Sequence, residues 1–287
     1  MKIFFRTLLV LFFLVITKSS LSNCELADND DRIVAAGGSV TETIFFLEKD
    51  ENLVARDLTS NFPQEALELP SIGYVRNLSS EGLLSLKPTL ILAEADVGPD
   101  NVIEQVKKTS IELRIVPDDY SEEGILSKAL CVGSILNVDD ELLNNKINSL
   151  KKSINDLTNV REKAKSRKKI ILILMMRGTS PIVAGSETSG DGFIAMTGNE
   201  NAFLDMSGWK PVGLENIIDS NPDYIIVTKR GFSGFKNTDD FLKQTGLIAT
   251  EAGKNGKLIV GDGMEMLGFG PRTLTFAAKI SELLTHE

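Results

Sequence analysis

Histidine is nearly absent from this chain of 287 residues: the only one is His286, next to the C-terminal residue. Zinc sites, Ser-His-Asp triads and Cys-His dyads need an imidazole held inside the fold, and the end of a chain is a poor source of one. The sequence also lacks a Gly-x-Ser-x-Gly nucleophile motif. We therefore expect that the protein is not an enzyme and that any metal is held by another kind of ligand.

Cysteine and positive charge are also scarce. Two cysteines cannot build a disulfide framework, so a hydrophobic core must hold the fold. The 31 Lys and Arg residues are outnumbered by 40 Asp and Glu, which gives a formal net charge of -9. Such a chain has no summed positive field for a phosphate backbone, so we expect no nucleic-acid partner.

The first residues have the pattern of a targeting segment. Residues 1–22 combine Lys2 and Arg6 with an apolar run from Leu8 to Ile16 and small residues before position 23, which is typical of a secretory signal peptide. Lipidation at Cys24 is a less favoured alternative. Cys131 lies in an apolar segment and is interpreted as a small core residue. A disulfide between the two cysteines is a further alternative.

One sequence unit occurs twice. Glu81-Gly-Leu-Leu-Ser-Leu-Lys-Pro88 and Glu215-Asn-Ile-Ile-Asp-Ser-Asn-Pro222 share the spacing of acid, aliphatic pair and proline, and an apolar strand follows each. Each unit predicts a short helix that ends before the proline, followed by a buried strand. We therefore predict an α/β fold with two similar lobes, at residues 31–138 and 169–287, each a mostly parallel sheet flanked by helices.

A single long helix is predicted to join the lobes at residues 139–168. Its aliphatic residues recur in steps of three and four, with lysine and asparagine between them: Leu143, Ile147, Leu150, Ile154 and Leu157. About 28 helical residues would extend roughly 40 Å, and a strut of this kind favours a rigid pair of lobes. Two helices broken near residues 155–159 are the alternative.

Together these features resemble the periplasmic substrate-binding proteins of ABC importers, in the helical-backbone class that serves siderophore, cobalamin and haem uptake. Three motifs are similar to the haem-binding members: Gly73-Tyr74-Val75-Arg76, Ser180-Pro-Ile-Val-Ala-Gly185 and Leu267-Gly-Phe-Gly-Pro-Arg272. The resemblance implies a periplasmic monomer that carries haem b (hemin) to an inner-membrane ABC permease dimer. A carrier of ferric siderophore or cobalamin is the alternative.

Tyr74 is the residue that the resemblance implies as the haem-iron ligand. Ferric iron favours anionic oxygen donors, and a tyrosine phenolate is one of the protein ligands known for haem iron. A free tyrosine has a pKa near 10, so a nearby cation would help it to ionise. Arg76 is two residues away, on the same side of an extended segment. On spacing alone, a tyrosine packed at a loop with its hydroxyl hydrogen-bonded is the favoured interpretation, and the resemblance reverses this preference. Tyr120 is the reserve candidate, and Tyr224 is predicted to lie in a sheet core.

Further cleft residues are expected on loops. Cations would bind haem propionates or support the phenolate, and apolar side chains would form the walls for the porphyrin. The candidate cations are Arg76, Arg177, Arg230 and Arg272, and the candidate wall residues are Met176, Met264, Met266 and Phe269. For Arg272, capping of or an ion pair with the following helix is the alternative.

Glu81 and Glu215 stand at equivalent places in the repeat. By resemblance, one surface glutamate in each lobe docks on arginines of the permease subunits, and equivalent positions suit a two-fold partner. The alternative is an ordinary acid near a helix N-terminus, favoured by the helix dipole.

Overall fold

The computed structural model describes residues 24–178 and 180–285, so the signal-peptide prediction and His286 lie outside the described residues. The strands are β1 (Ile33–Ala36), β2 (Leu53–Arg56), β3 (Leu90–Ala93), β4 (Glu112–Ile115), β5 (Lys169–Arg177), β6 (Ser180–Ala184), β7 (Glu200–Asn201), β8 (Trp209–Pro211), β9 (Tyr224–Thr228) and β10 (Leu258–Gly261). No helix of the described part is both long enough and apolar enough to cross a bilayer.

Helices follow most of the strands. They are α1 (Gly38–Phe46), α2 (Ser80–Ser85), α3 (Asp100–Val106), α4 (Glu122–Ile135), α5 (Asp140–Arg161), α6 (Ser189–Met196), α7 (Leu214–Ser220), α8 (Lys229–Phe232), α9 (Thr238–Gln244), α10 (Glu251–Lys254), α11 (Gly263–Leu267) and α12 (Pro271–Thr285). Short 3-10 helices are Asp50–Asn52, Gln64–Glu68 and Leu247–Ala249.

The strands form two separate sheets, as the sequence repeat predicts. The sheet of the N-terminal lobe has the order β2-β1-β3-β4 and is parallel throughout. The sheet of the C-terminal lobe has the order β10-β9-β5-β6-β8, with β7 beside β5; its β5-β6 and β6-β8 pairs are antiparallel. The α/β prediction is therefore confirmed, with a second sheet that is more mixed than the first. Tyr224 is buried in β9, as expected.

The connecting helix α5 is continuous but shorter than predicted. Its N-terminus is capped by Asp139, whose carboxylate accepts hydrogen bonds from the backbone N–H groups of Glu141 and Leu142. The helix runs without a break through residues 155–159 and ends at Arg161. Its 22 residues span about 33 Å. The apolar stripe stops at Leu157, and the exposed, lysine-rich segment 162–168 offers no further face to bury.

The two cysteines form a disulfide, which the sequence interpretation held to be less favoured than a simple core residue. Cys24 and Cys131 are bonded across 107 positions, joining the N-terminal segment to α4. Cys131 is buried in the apolar cluster of that lobe, as expected. The backbone N–H of Ala27 also donates to the carbonyl of Ile135, at 3.0 Å. A sulfur in a disulfide cannot carry a lipid thioether, so this bond and lipidation of Cys24 exclude each other.

Candidate functional site

A cleft of about 470 Å³ lies between the two sheets. The N-terminal lobe contributes residues from the loops that follow its parallel strands, the edge where α/β sheets bind ligands. They are Thr59, Asn61, Tyr74, Val75, Arg76, Glu94, Asp96, Asp118 and Tyr120. The C-terminal lobe contributes the opposite wall, which includes Leu174, Ser189, Trp209, Thr228, Lys229, Arg230, Met264 and Leu267.

Tyr74 and Arg76 lie together on the cleft wall. Arg76 Nη1 donates a hydrogen bond to the hydroxyl of Tyr74 at 2.8 Å, and 39% of the Tyr74 surface is exposed. The segment is a tight turn rather than the extended loop that the sequence predicted, because the N–H of Asn77 bonds to the carbonyl of Tyr74. Gly73 precedes it with φ of 92°, a conformation that favours glycine. The two side chains therefore meet across a turn.

Asp96 is the third member of this group, and sequence reasoning missed it. Its carboxylate accepts from Arg76 Nε at 2.6 Å and also pairs with Nη2. Burial alone would lower the pKa of the Arg76 guanidinium, but Asp96 and Tyr74 outweigh burial and raise this pKa. Arg76 is thus a permanent cation. Its Nε and Nη2 contact the Asp96 carboxylate, and its Nη1 donates to the Tyr74 oxygen. The only signal in the sequence was an acid shortly after a buried strand.

Tyr120, the reserve candidate, also faces the cleft but in a different electrostatic setting. Its ring packs against Phe269, with centroids 5.2 Å apart. Burial, and then the carboxylates of Asp118 and Asp96, raise the pKa of the Tyr120 hydroxyl, while Arg76 lowers it by less. Tyr120 therefore stays a neutral phenol at physiological pH. The Arg76 guanidinium donates its hydrogen bond to the Tyr74 hydroxyl rather than to Tyr120.

A buried polar network forms the floor of the cleft, and the sequence did not reveal it. Glu94 Oε1 accepts hydrogen bonds from the backbone N–H and the hydroxyl of Ser39, at 3.0 and 2.6 Å. Lys128, 1% exposed, donates to the same hydroxyl at 2.6 Å and pairs with Asp118 at 3.3 Å. Gly37 has no room for a side chain because the Glu94 carboxyl fills that space. These contacts join α1, α4 and the loop after β3.

The Glu94 carboxyl makes stability depend on pH. Burial raises its pKa from 4.5 to about 7, and Lys128 and Ser39 offset this only in part. Because the folded state holds this proton more tightly, the stabilisation that the protonated Glu94 carboxyl gives the fold is fully present below pH 4.5 and is lost as the pH rises through about 7.

Compared with the Glu94→Gln variant, the wild type should therefore lose free energy of unfolding between these two pH values. Urea unfolding from pH 4 to 8.5 measures it; Glu123→Gln, at an exposed acid, is the control. Parallel curves for wild type and Glu94→Gln would contradict the prediction.

The C-terminal lobe brings only part of its predicted set to the cleft. Arg230 and Met264 line it, and so does Lys229, which the sequence interpretation missed and which pairs with Asp262 at 3.6 Å. The Met264 methyl occupies the space that a side chain at Gly38 would need, so the lobes meet closely at this point.

Four other predicted residues of this lobe lie elsewhere. Arg177 is at the exposed end of β5, and Met176 packs against the apolar cluster of the lobe. Met266 and Phe269 are fully buried in the core around α5 and α12. Phe269 reaches the site only indirectly, through its contact with Tyr120. An apolar run between glycines does not tell which of its residues face a cleft and which face the core.

Arg272 links the two lobes instead of lining the cleft. Its backbone N–H and its Nε donate to the two carboxylate oxygens of Glu42, at 2.7 and 2.9 Å. Its guanidinium lies over the ring of Phe62, 3.6 Å from the centroid. Burial raises the pKa of Glu42, although Arg272 opposes this shift. The sequence interpretation allowed an ion pair with the following helix, whereas the partner lies in α1.

The solved structures with a similar fold include several periplasmic haem-binding proteins. The periplasmic haem-binding protein HutB of Vibrio cholerae superposes with a TM-score of 0.79 at 31% sequence identity, covering 89% of this chain and 99% of HutB. In sequence, a vitamin B12-binding protein of Pectobacterium atrosepticum is 26% identical over 199 residues, which is 68% of this chain and 71% of that protein.

A further relative is an uncharacterised ABC transporter substrate-binding lipoprotein, YvrC, of Bacillus subtilis. It is 25% identical over 224 residues, which is 76% of this chain and 69% of YvrC. The family model described as periplasmic binding protein matches residues 33–264. Its members are transport receptors and not enzymes, as expected from the missing imidazole. The chain thus belongs to the periplasmic binding protein family and is a solute-binding protein of the class that serves haem, vitamin B12 and siderophores.

Proposed function

We propose that this protein captures haem b (hemin) in the cleft, with Tyr74 as the iron ligand, and delivers it to an inner-membrane ABC importer. The observation that carries the proposal is the pairing of the Tyr74 hydroxyl with the Arg76 guanidinium on the cleft wall. Ferric iron binds a tyrosine oxygen as the phenolate, which is a hard anionic donor. A guanidinium beside that oxygen can donate a charge-assisted hydrogen bond to it.

Asp96 supports this ligation by positioning Arg76. The carboxylate holds the Nε edge of the guanidinium, which leaves Nη1 directed at the phenol oxygen. A charged hydrogen bond of this kind is stronger than one between neutral groups. In this arrangement Arg76 stabilises the phenolate and limits the motion of the ligand side chain.

The remaining cleft residues suit a flat apolar ring with anionic substituents. Val75, Leu174, Trp209 and Leu267 provide apolar surface on both lobes. Lys229 and Arg230 provide cations on the wall opposite Tyr74, where propionate groups can bind. Met264 lines the cleft near the junction of the lobes, where its methyl group lies against Gly38.

Cobalamin and ferric siderophores are the alternatives, and the B12-binding relative favours the first. One argument against each alternative favours haem. A hexadentate siderophore already saturates its iron, so a tyrosine ligand backed by a cation has no role in binding it. Cobalamin is bulkier than haem and carries neutral amides, whereas the cleft is about 470 Å³, in the lower half of the usual range of roughly 300–1,000 Å³.

Titration with hemin tests the proposed function. We expect a Soret band that grows and saturates at one equivalent, because the cleft volume suits a single macrocycle. Iron-free protoporphyrin should bind much more weakly, since it offers nothing for Tyr74 to ligate. Cyanocobalamin should not displace hemin. Displacement of hemin by cobalamin, or equal binding of the porphyrin with and without iron, would exclude the proposal.

We also propose that the chain acts in the periplasm as a monomer that docks on a permease dimer through Glu81 and Glu215. Both acids lie in the first turn of a short exposed helix, α2 or α7. Within the described part of the chain, neither carboxylate has an ion-pair or hydrogen-bond partner. One copy of the protein thus supplies two equivalent anionic contacts, which matches two identical cationic contacts on a two-fold partner.

A further inference from the structure

The two helices that carry Glu81 and Glu215 expose the same kind of apolar residue. In α2 the first aliphatic residue after the acid, Leu83, is buried and the second, Leu84, is 39% exposed. In α7 the same holds: Ile217 is buried and Ile218 is 37% exposed. Residues three apart share a helix face. Each acid therefore has an exposed aliphatic neighbour on its own face.

A single exposed leucine is ordinary on a protein surface. The repetition is what distinguishes this pair, because the exposed aliphatic stands at the same distance from an unpaired acid in both lobes. The combination suits a partner that presents a cation beside an apolar pocket at two equivalent places.

We infer that Leu84 and Ile218 are apolar contacts of the docking surface, and that they insert into the two subunits of the permease dimer beside the cations bound by Glu81 and Glu215. This inference rests on the docking role in the proposed function. Charged contacts at an interface mainly give specificity and a high association rate. Buried aliphatic contacts slow dissociation, so the two kinds of contact have different kinetic effects.

The two patches are unequal. Leu214, 36% exposed, directly precedes Glu215 and packs close to Gly246. The residue at the equivalent place before Glu81 is Ser80. The C-terminal lobe thus presents two aliphatic residues where the N-terminal lobe presents one. Since a two-fold dimer offers the same hollow to both lobes, the C-terminal patch makes the larger contribution.

Glutamine substitutions test the inference, because glutamine keeps the length of the side chain and a high helix propensity while removing its apolar character. The variants are Leu84→Gln, Ile218→Gln and the pair Leu214→Gln/Ile218→Gln. Matched controls are Leu130→Gln in α4 and Leu283→Gln in α12, at leucines that are 48% and 51% exposed. The probe is the cognate ABC importer of the source cells in nanodiscs, with binding of the protein, both without and with added hemin, followed by interferometry.

We expect Leu84→Gln and Ile218→Gln each to weaken importer binding about tenfold through faster dissociation, with a larger loss for the pair. Hemin affinity and the unfolding midpoint should stay at wild-type values, and the controls should bind the importer normally. Importer affinities within twofold of wild type for all three variants would overturn the inference, regardless of the effect of changing Glu81 and Glu215.

Charge reversal of both acids, Glu81→Lys/Glu215→Lys, separates this inference from the function on which it rests. If that variant loses docking while the glutamine variants do not, the acids dock without the aliphatics and the inference is overturned alone. If charge reversal leaves docking intact, the proposal that the acids dock on the permease is wrong. If the wild type binds no hemin, the haem proposal is wrong, whatever the docking assay shows.

Discussion

Tyr74→Phe should lower the affinity for hemin by about 100-fold or more and remove the phenolate-to-iron charge-transfer band from the spectrum. Changing a residue that only supports a metal ligand typically costs about 10–100-fold in affinity, and losing the ligand itself costs at least as much. The phenyl ring is retained, so porphyrin packing is preserved. Weak binding by apolar contact should therefore persist, with a shifted Soret maximum.

The same substitution should hardly change stability. Tyr74 is 39% exposed, and among the residues that the structure describes its hydroxyl bonds only to the exposed Arg76 side chain. Exposed hydrogen bonds of this kind contribute little to the free energy of unfolding. A normal unfolding midpoint together with a large loss of hemin affinity would therefore place the effect in ligation rather than in folding.

Tyr120→Phe is the matched control, since both tyrosines line the same cleft. The Tyr120 hydroxyl has a raised pKa, caused first by burial and then by Asp118 and Asp96. Ionisation of this hydroxyl is therefore disfavoured, so we expect this variant to keep the charge-transfer band and most of the affinity. Loss of the band in Tyr120→Phe, with Tyr74→Phe unaffected, would show that the ligand assignment is wrong.

The parts of this site that sequence could predict are local. Tyr74 and Arg76 are two residues apart, and their meeting follows from that spacing even though the segment is a turn. The repeat of acid, aliphatic pair and proline likewise predicted α2 and α7 as short helices before strands. In both cases the interacting positions lie within one element and its neighbour.

The contacts that sequence could not predict join distant positions. Ser39 meets Glu94 across 55 residues, and Arg272 meets Glu42 across 230. Each of these residues alone has an ordinary local setting: Ser39 and Arg272 at a helix start, Glu42 inside a helix, and Glu94 after a strand end. Only the packing of α1 against the strand ends and against α12 brings them together. The hydrophobic pattern of the sequence does not predict this packing. Arg272 was consequently expected in the cleft and lies beside it.

Removal of the Cys24–Cys131 disulfide should lower the free energy of unfolding by about 2–4 kcal/mol. The bond closes a loop of 107 residues that contains nearly the whole N-terminal lobe. Such a loop strongly restricts the unfolded chain, for which the chain-entropy model gives an upper value of about 4.7 kcal/mol. In a chain of this size, the loss corresponds to a fall in unfolding midpoint of about 5–15 °C.

Cys24→Ser/Cys131→Ala is the variant to compare with the oxidised wild type, because alanine leaves no polar group at the buried position 131. Hemin affinity should be unchanged, since neither cysteine lines the cleft. The intact mass of the exported wild type should show two hydrogens fewer than the reduced chain and no lipid. Two titratable thiols would show that the disulfide does not form in the mature protein. A diacylglyceryl adduct at Cys24 would show that this residue is lipidated instead.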